Sequence, residues 1–247
     1  MGLARKDALV AIVGMGGLGC PVALALARAG VGALRLIDDD QVDRGNLHRQ
    51  ILFSERDVGR HKLDAASDAL ARIAPSMRLD VRKTRLRPDT VSALDGADVI
   101  VECSDQFAVK FLASDAAFLA RTPIVVGAAI RWIGTALSVG PRGGPCYRCL
   151  FEDIPDGAQA SCDVSGVVGP VCGVIGGLEA ALVLRILDAP GIGHPEAGHG
   201  TLLRFDGRAD ALRAHPVSRR TSCPLCGVAR TITSIEAGRY LPPRCDE

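Results

Sequence analysis

The stretch Ala8–Gln50, ALVAIVGMGGLGCPVALALARAGVGALRLIDDDQVDRGNLHRQ, decides the fold. An apolar run, Ala8–Val13, leads into Gly14, Gly16, Gly17 and Gly19. A helical pattern over Gly19–Ala29 follows and is stopped by Gly30 and Gly32; a second apolar run, Ala33–Asp38, ends in Asp38, Asp39 and Asp40. This order spells strand, tight turn, helix, strand. Glycines let a backbone turn sharply and bring its N–H groups close to a phosphate. An acid about twenty residues after such a turn falls where a ribose hydroxyl would sit. A GxGxxG pattern alone is weak, but here a strand precedes it, a helix follows, and the acid stands at the expected distance. The chain is therefore expected to bind a nucleotide, with an acid of the Asp38–Asp40 run near the ribose.

The rest of the chain keeps the same alternation. Lys62–Ile73 reads as a helix because Leu63, Ala66, Leu70 and Ile73 share a face. Met77–Val81 and Ala97–Glu102 read as strands, Gln106–Ala120 as a helix, and Ile124–Ile130 and Ile133–Val139 as strands. The second of that last pair is a candidate start for an antiparallel region. Pro170–Leu187 reads as a buried helix and Thr201–Asp206 as a late strand, while Glu152–Ser161 and Pro190–Gly200 read as loops. The expected class is α/β, a Rossmann-like, mostly parallel sheet with flanking helices and an antiparallel extension. The 247 residues, 48% of them hydrophobic, suffice for a full core in one domain. Its nucleotide-binding half is expected over about 8–140, and a second half over about 141–230.

A net charge of +1 gives no global field toward nucleic acid or an anionic membrane. No long apolar segment precedes the glycine turn, so a cytoplasmic location is expected. Beyond Asp40, the segment through Gln50 sets Asn46, Arg49 and Gln50 among apolar Leu47 and Ile51, unlike a simple solvated charge run. A planar guanidinium such as Arg49 suits a triphosphate, and an amide such as Asn46 can bind a phosphate or ribose oxygen. Lys62 stands where it could contact an α-phosphate. A nicotinamide dehydrogenase would explain the glycine turn but nothing after it.

Nine cysteines are present, four of them in the pairs Cys146-x-x-Cys149 and Cys223-x-x-Cys226. In a chain of this kind such pairs suggest metal before disulfide. Two knuckles that meet make a closed tetrahedral four-cysteine site for Zn2+, structural in type. A redox dithiol is the weaker reading, because neither pair is expected to open a helix after a strand. Cys20, Cys103 and Cys172 lie in apolar runs and are expected in the core, Cys245 near a tail.

Taken in order, GMGGLG at Gly14–Gly19, DDDQVDRGNLHRQ at Asp38–Gln50, DVGRHK at Asp57–Lys62, CSDQF at Cys103–Phe107, CYRC at Cys146–Cys149, CDVSGVVGPVCGVIGGLEA at Cys162–Ala180 and CPLC at Cys223–Cys226 resemble the MoeB/ThiF (HesA) adenylyltransferases. These enzymes activate ubiquitin-like sulfur carriers and are related to ubiquitin-activating enzymes. The resemblance implies ATP and Mg2+ as cofactors, attack of a carrier's C-terminal glycine carboxylate on the α-phosphate, and release of pyrophosphate. Carried over by position, Asp38 would hold the ribose and Asn46, Arg49 and Lys62 the phosphates, with Asp40 and Gln50 in the same nucleotide-binding set. Asp105 would bind magnesium. Cys162 matches the position at which the thiamine-pathway branch forms a covalent link with the activated carrier; the residue reading alone leaves a surface cysteine equally open.

The resemblance further implies a homodimer, a carrier ending in Gly-Gly, and a role in thiamine, molybdopterin or related sulfur transfer. With no sulfurtransferase segment read after Cys226, the sulfur donor is expected to be a separate protein. Departures from the family pattern are Gln106 after Asp105, where Asn is common, and a short segment before the first strand, in which Arg5 is the arginine available to reach a partner's ATP. Two readings stay beside the carrier: adenylation of a tRNA-borne or peptide carboxylate, with tRNA disfavoured by the near-neutral charge, and a non-catalytic nucleotide- or carrier-binding module.

Overall fold

The computed structural model describes residues 4–142, 144–154, 166–191, 194 and 199–240. Its frame is an eight-stranded sheet in the order β3-β2-β1-β4-β5-β6-β7-β8. The strands are β1 (Leu9–Val13), β2 (Ala33–Ile37), β3 (Arg78–Arg82), β4 (Val99–Glu102), β5 (Ile124–Ile130), β6 (Ile133–Val139), β7 (Thr201–Asp206) and β8 (Ala211–Pro216). β1–β5 are parallel, and β5–β8 form an antiparallel run. The helices are α1 (Gly19–Arg28), α2 (Lys62–Ile73), α3 (Phe107–Ala120), the single turn α4 (Tyr147–Leu150) and α5 (Gly169–Asp188). The expected class and its antiparallel extension are what the fold shows.

Period-two alternation in the central strand sorts the core into two layers. Val10 and Ile12 face a cluster that includes Leu26 of α1, Leu63 and Leu70 of α2, and Ile175 and Val183 of α5. Ala11 and Val13 face the other side, with Phe111 and Leu112 of α3 and all four paired cysteines. Because every residue of β2 is buried, it reads as a continuous apolar run interrupted by Arg35. Arg35 is satisfied by Asp80 on the neighbouring strand at 2.7 Å and by the carbonyls of Ala93 and Asp95. α5 is apolar and long enough to cross a membrane by composition, yet it packs on α1, β5 and β6 with 56% of its most apolar window buried.

One strand escapes the sequence reading. Ala211–Pro216, ALRAHP, is an exposed edge strand on β7, so it needs no apolar face and carries no strong alternation. The α4 turn is a second difference: Cys146 directly precedes a helical turn that contains Cys149. Cys162, Cys245, most of the Glu152–Ser161 loop and part of the Pro190–Gly200 loop lie outside the described residues.

Candidate active site

Strand order reverses between β1 and β4, because the chain leaves β1 for β2 and β3 on one side and returns through β4 and β5 on the other. Ligands of open α/β sheets bind at such a switch point, beyond the carboxyl ends of the strands. A cavity of about 590 Å³ lies there, lined by Gly14, Gly16, Gly17, Asp38, Asn46 and Lys62 among others. Arg49, Gln50, Asp40 and Asp105 line the same cavity. Of the nucleotide-binding set read from the sequence, only Gly19 is not on its wall.

Gly19 acts from behind. A Cβ there would fall 2.0 Å from the Gly14 carbonyl oxygen, so the helix can start this close to the strand only as glycine. Gly14 sits at φ +89°, in the left-handed region. At Gly16 a Cβ would meet nothing within 4 Å, so the turn's open side belongs to the cavity rather than to the protein's own packing.

Asp38 closes the turn. One of its carboxylate oxygens accepts the Met15 N–H at 2.7 Å, the other the Asp40 N–H at 2.8 Å. The end of β2 is thereby tied to the glycine turn after β1. Residues after Asp40 then fold back: Gln41 bridges His61, and the Lys62 N–H donates to the Asp40 carbonyl. This return plants Lys62 at the start of α2 with only 6% exposure. Its ammonium lies 2.8 Å from Asp40 and 3.9 Å from Asp38. Arg85 pairs with Asp39 at 3.1 Å and reaches Asp40 at 3.6 Å. Asp40 is thus a partner of Lys62 and Arg85 in this structure.

Arg49 lies along the turn, since a Cβ on Gly17 would be 3.3 Å from its Cδ and 3.0 Å from Cys172 Sγ. Its guanidinium is 3.3 Å from His48 Nε2. Gln50 is buried, and its side-chain carbonyl oxygen has no hydrogen-bond partner among the described residues. A buried unpaired acceptor is costly. Asp105 is exposed to the cavity and pairs with none of the described side chains. An open glycine turn and a cavity-facing carboxylate with no side-chain partner among the described residues fit a nucleotide with its magnesium.

Three charged residues that the sequence reading passed over contact the Cys103–Ser104 backbone and side chains that lead into Asp105. Glu102, Lys110 and Glu179 are all buried. Burial pushes both glutamates up, Glu179 well above the ordinary carboxylate range. Burial works against the charge of Lys110, yet Glu102 together with Tyr147 and Glu179 outweighs it, and the ammonium is held more firmly than in water. The signal was present: Glu102 ends an apolar strand, and Lys110 and Glu179 interrupt apolar helices.

The four paired cysteines meet. Sγ–Sγ distances are 3.5 Å for Cys146–Cys223, 3.4 Å for Cys149–Cys226 and 3.9 Å for Cys146–Cys149, and all four sulfurs lie within 4.8 Å of one another. Zinc–sulfur bonds of about 2.3 Å in a tetrahedron place sulfurs about 3.8 Å apart, so the cluster fits Zn2+. Although Cys146 stands at the N-cap of α4, the gathering of both pairs favours the tetrad over an isolated redox dithiol. Arg148, between the first two cysteines, is buried with its guanidinium on Asp115 of α3 at 2.9 Å. Tyr240 donates to the same carboxylate at 2.8 Å, tying the C-terminal segment to this face.

Cys20, Cys103 and Cys172 are buried, as expected, and burial raises each thiol, Cys20 to about 12. Cys103 and Cys172 also reach the cavity wall. Arg5 is held by its own chain: its guanidinium Nε donates to Asp188 at the end of α5 at 2.7 Å.

A glycine turn, an acid-tipped second strand and a basic return segment surround one switch-point cavity of an open α/β sheet. Residues 4–225 match the ThiF family, and the chain belongs to that family. It is 40% identical over 238 residues to the adenylyltransferase and sulfurtransferase MOCS3 of Drosophila willistoni, covering 94% of this chain and 51% of that protein. It is 37% identical over 247 residues to the adenylyltransferase and sulfurtransferase uba4 of Aspergillus fumigatus, covering 94% and 49%. The chain thus spans about half the length of these relatives. Among solved structures, E. coli MccB with ATP superposes at a TM-score of 0.79 with 25% identity, over 90% of this chain and 68% of that one.

Proposed function

We propose that this chain is an ATP-dependent adenylyltransferase that activates the C-terminal glycine carboxylate of a ubiquitin-like sulfur carrier ending in Gly-Gly. One observation carries the reading: a single cavity gathers Gly16, Asp38, Asn46, Arg49, Lys62 and Asp105 from separate segments of the chain. The relatives named adenylyltransferase and sulfurtransferase support it.

In this reading the glycine turn and Asn46 seat the triphosphate, and Asp38 offers its remaining lone pairs to the ribose while keeping its two amide bonds. Arg49 and Lys62 neutralise phosphate charge, Lys62 by exchanging Asp40 for a phosphate oxygen. A carrier carboxylate attacking phosphorus brings like charges together, so cationic side chains do most of the protein's work. The carboxylate oxygen bonds to the α-phosphorus, the bond to pyrophosphate breaks, and no general base is required because the nucleophile is already ionised at neutral pH. Asp105 would hold Mg2+, which supplies further charge neutralisation. The four-cysteine cluster would hold Zn2+ as a closed structural site. Cys162 would act after adenylation, in covalent capture of the activated carrier.

These residues would form an adenylation domain acting as a cytoplasmic homodimer, in thiamine, molybdopterin or related sulfur transfer. A peptide carboxylate is the alternative; the 37–40% identity to proteins named adenylyltransferase and sulfurtransferase supports taking the carrier first. The test is carrier-dependent ATP–pyrophosphate exchange with small Gly-Gly-ending proteins. Exchange with one of them supports the reading and names the substrate. Absence of exchange with every carrier, in zinc-loaded protein that binds ATP, refutes it.

A further inference from the structure

Asp105 has no side-chain partner among the described residues, so its position in the cavity is set by the backbone that carries it. That backbone is clamped. The Lys110 ammonium, 4% exposed at the first turn of α3, donates to Glu102 Oε2 at 2.5 Å, to the Ser104 carbonyl at 2.7 Å and to the Gly127 carbonyl of β5 at 2.5 Å. All three of its protons are used. Glu102, with no exposure, accepts the Ser104 N–H at 2.9 Å through its other oxygen, which also accepts the Ser104 hydroxyl. The residue before Asp105 is thus held through side chain, N–H and C=O at once, and is braced against β5.

A buried ion pair is weak evidence for stability, since apolar residues of similar volume often do as well or better. Here the pair sits in a core otherwise built mainly from apolar side chains. Its distinctive product is a fixed turn at the end of β4. We propose that Lys110 and Glu102 are positioning residues that fix the Cys103–Asp105 turn so that the Asp105 carboxylate is aimed to hold the magnesium of the bound nucleotide. The inference rests on the adenylylation reading for the identity of the ligand. Lys110 lines the cavity, but with its donors occupied it acts through the turn and not on phosphate.

Lys110→Met alone would strand a buried carboxylate and can fail to fold for that reason, so the test variant is Glu102→Gln/Lys110→Met, which neutralises both partners. Two readouts are taken on the full chain with zinc bound. The first is hydrogen–deuterium exchange over residues 103–107 in nucleotide-free protein; exchange roughly tenfold faster than wild type is expected, with β1 and α5 unchanged. The second is calorimetric ATP affinity with and without Mg2+, compared across wild type, the clamp variant, Asp105→Ala and the combination. The clamp variant should lose most of the magnesium-dependent gain, and adding Asp105→Ala should cause no further loss, because both act through one carboxylate. Unchanged exchange, or losses that simply add, would overturn the proposal. Should wild type gain no affinity from Mg2+, the functional reading fails, and the exchange readout still decides whether the clamp holds the turn.

Discussion

Asp38 offers a test in which the structural and the ligand-binding parts of one residue can be separated. Its carboxylate holds two backbone amides at 2.7 and 2.8 Å, and the first belongs to Met15, which has no exposure. Asp38→Asn keeps the shape but offers one carbonyl oxygen and one NH2 group. One amide therefore loses its acceptor and faces a donor. A hydrogen bond to a charged group contributes about 1.5–3 kcal/mol, and a buried N–H left unpaired costs about 1–3 kcal/mol. These terms overlap, so the expected loss is about 2–4 kcal/mol. For a chain of this length, 1 kcal/mol moves Tm by about 2–4 °C, so a fall of roughly 5–15 °C is expected. Differential scanning calorimetry and urea titration give the stability. ATP affinity, measured by calorimetry well below the transition, reports the turn and should fall by at least roughly tenfold, or about 1.4 kcal/mol. Unchanged Tm together with weakened ATP binding would refute the tether and leave Asp38 a ligand contact alone. Lowered Tm with unchanged affinity would refute its place in the nucleotide site.

Asp105→Ala should abolish carrier-dependent exchange while leaving Tm and zinc content as in wild type, because the exposed carboxylate supports no described contact; surviving activity would remove the magnesium assignment. Protein as isolated should carry one zinc per chain by elemental analysis, and Cys223→Ala or strong chelation should release it and make the segment after β8 sensitive to protease, since the two knuckles are what close that face. Gly19→Ala places a Cβ 2.0 Å from the Gly14 carbonyl and should destabilise by about 1–3 kcal/mol or more, read as a lowered urea midpoint with lost ATP binding. Cys162→Ser should spare pyrophosphate exchange and block only a later covalent transfer, visible as loss of a thioester-linked carrier on a non-reducing gel; collapse of the exchange itself would sink that role.

Much of this was legible in the chain because local rules and global fold agree. Lys62–Ile73 is a helix with the bounds that its apolar spacing gives, and the glycine turn lies between the strand and helix its pattern requires. β8 was not legible, since an edge strand that buries neither face need not alternate. Neither was the turn α4, a four-residue element whose place is set by the cysteines it brings to the cluster.

The sequence by itself determined the α/β class, the glycine turn, the candidate residues and the metal-ligand spacing, because these follow from periodicity, glycine chemistry and side-chain type within short windows. Only the tertiary structure decided who touches whom. It put Asp40 on Lys62 and Arg85, Asp38 on the glycine turn, Arg5 on Asp188, and Glu102 and Lys110 on Ser104. Most of those pairings join residues far apart in the chain, and their strength depends on burial that a one-dimensional pattern does not contain: the same lysine is a solvated charge on a surface and a fixed three-donor clamp when water is excluded.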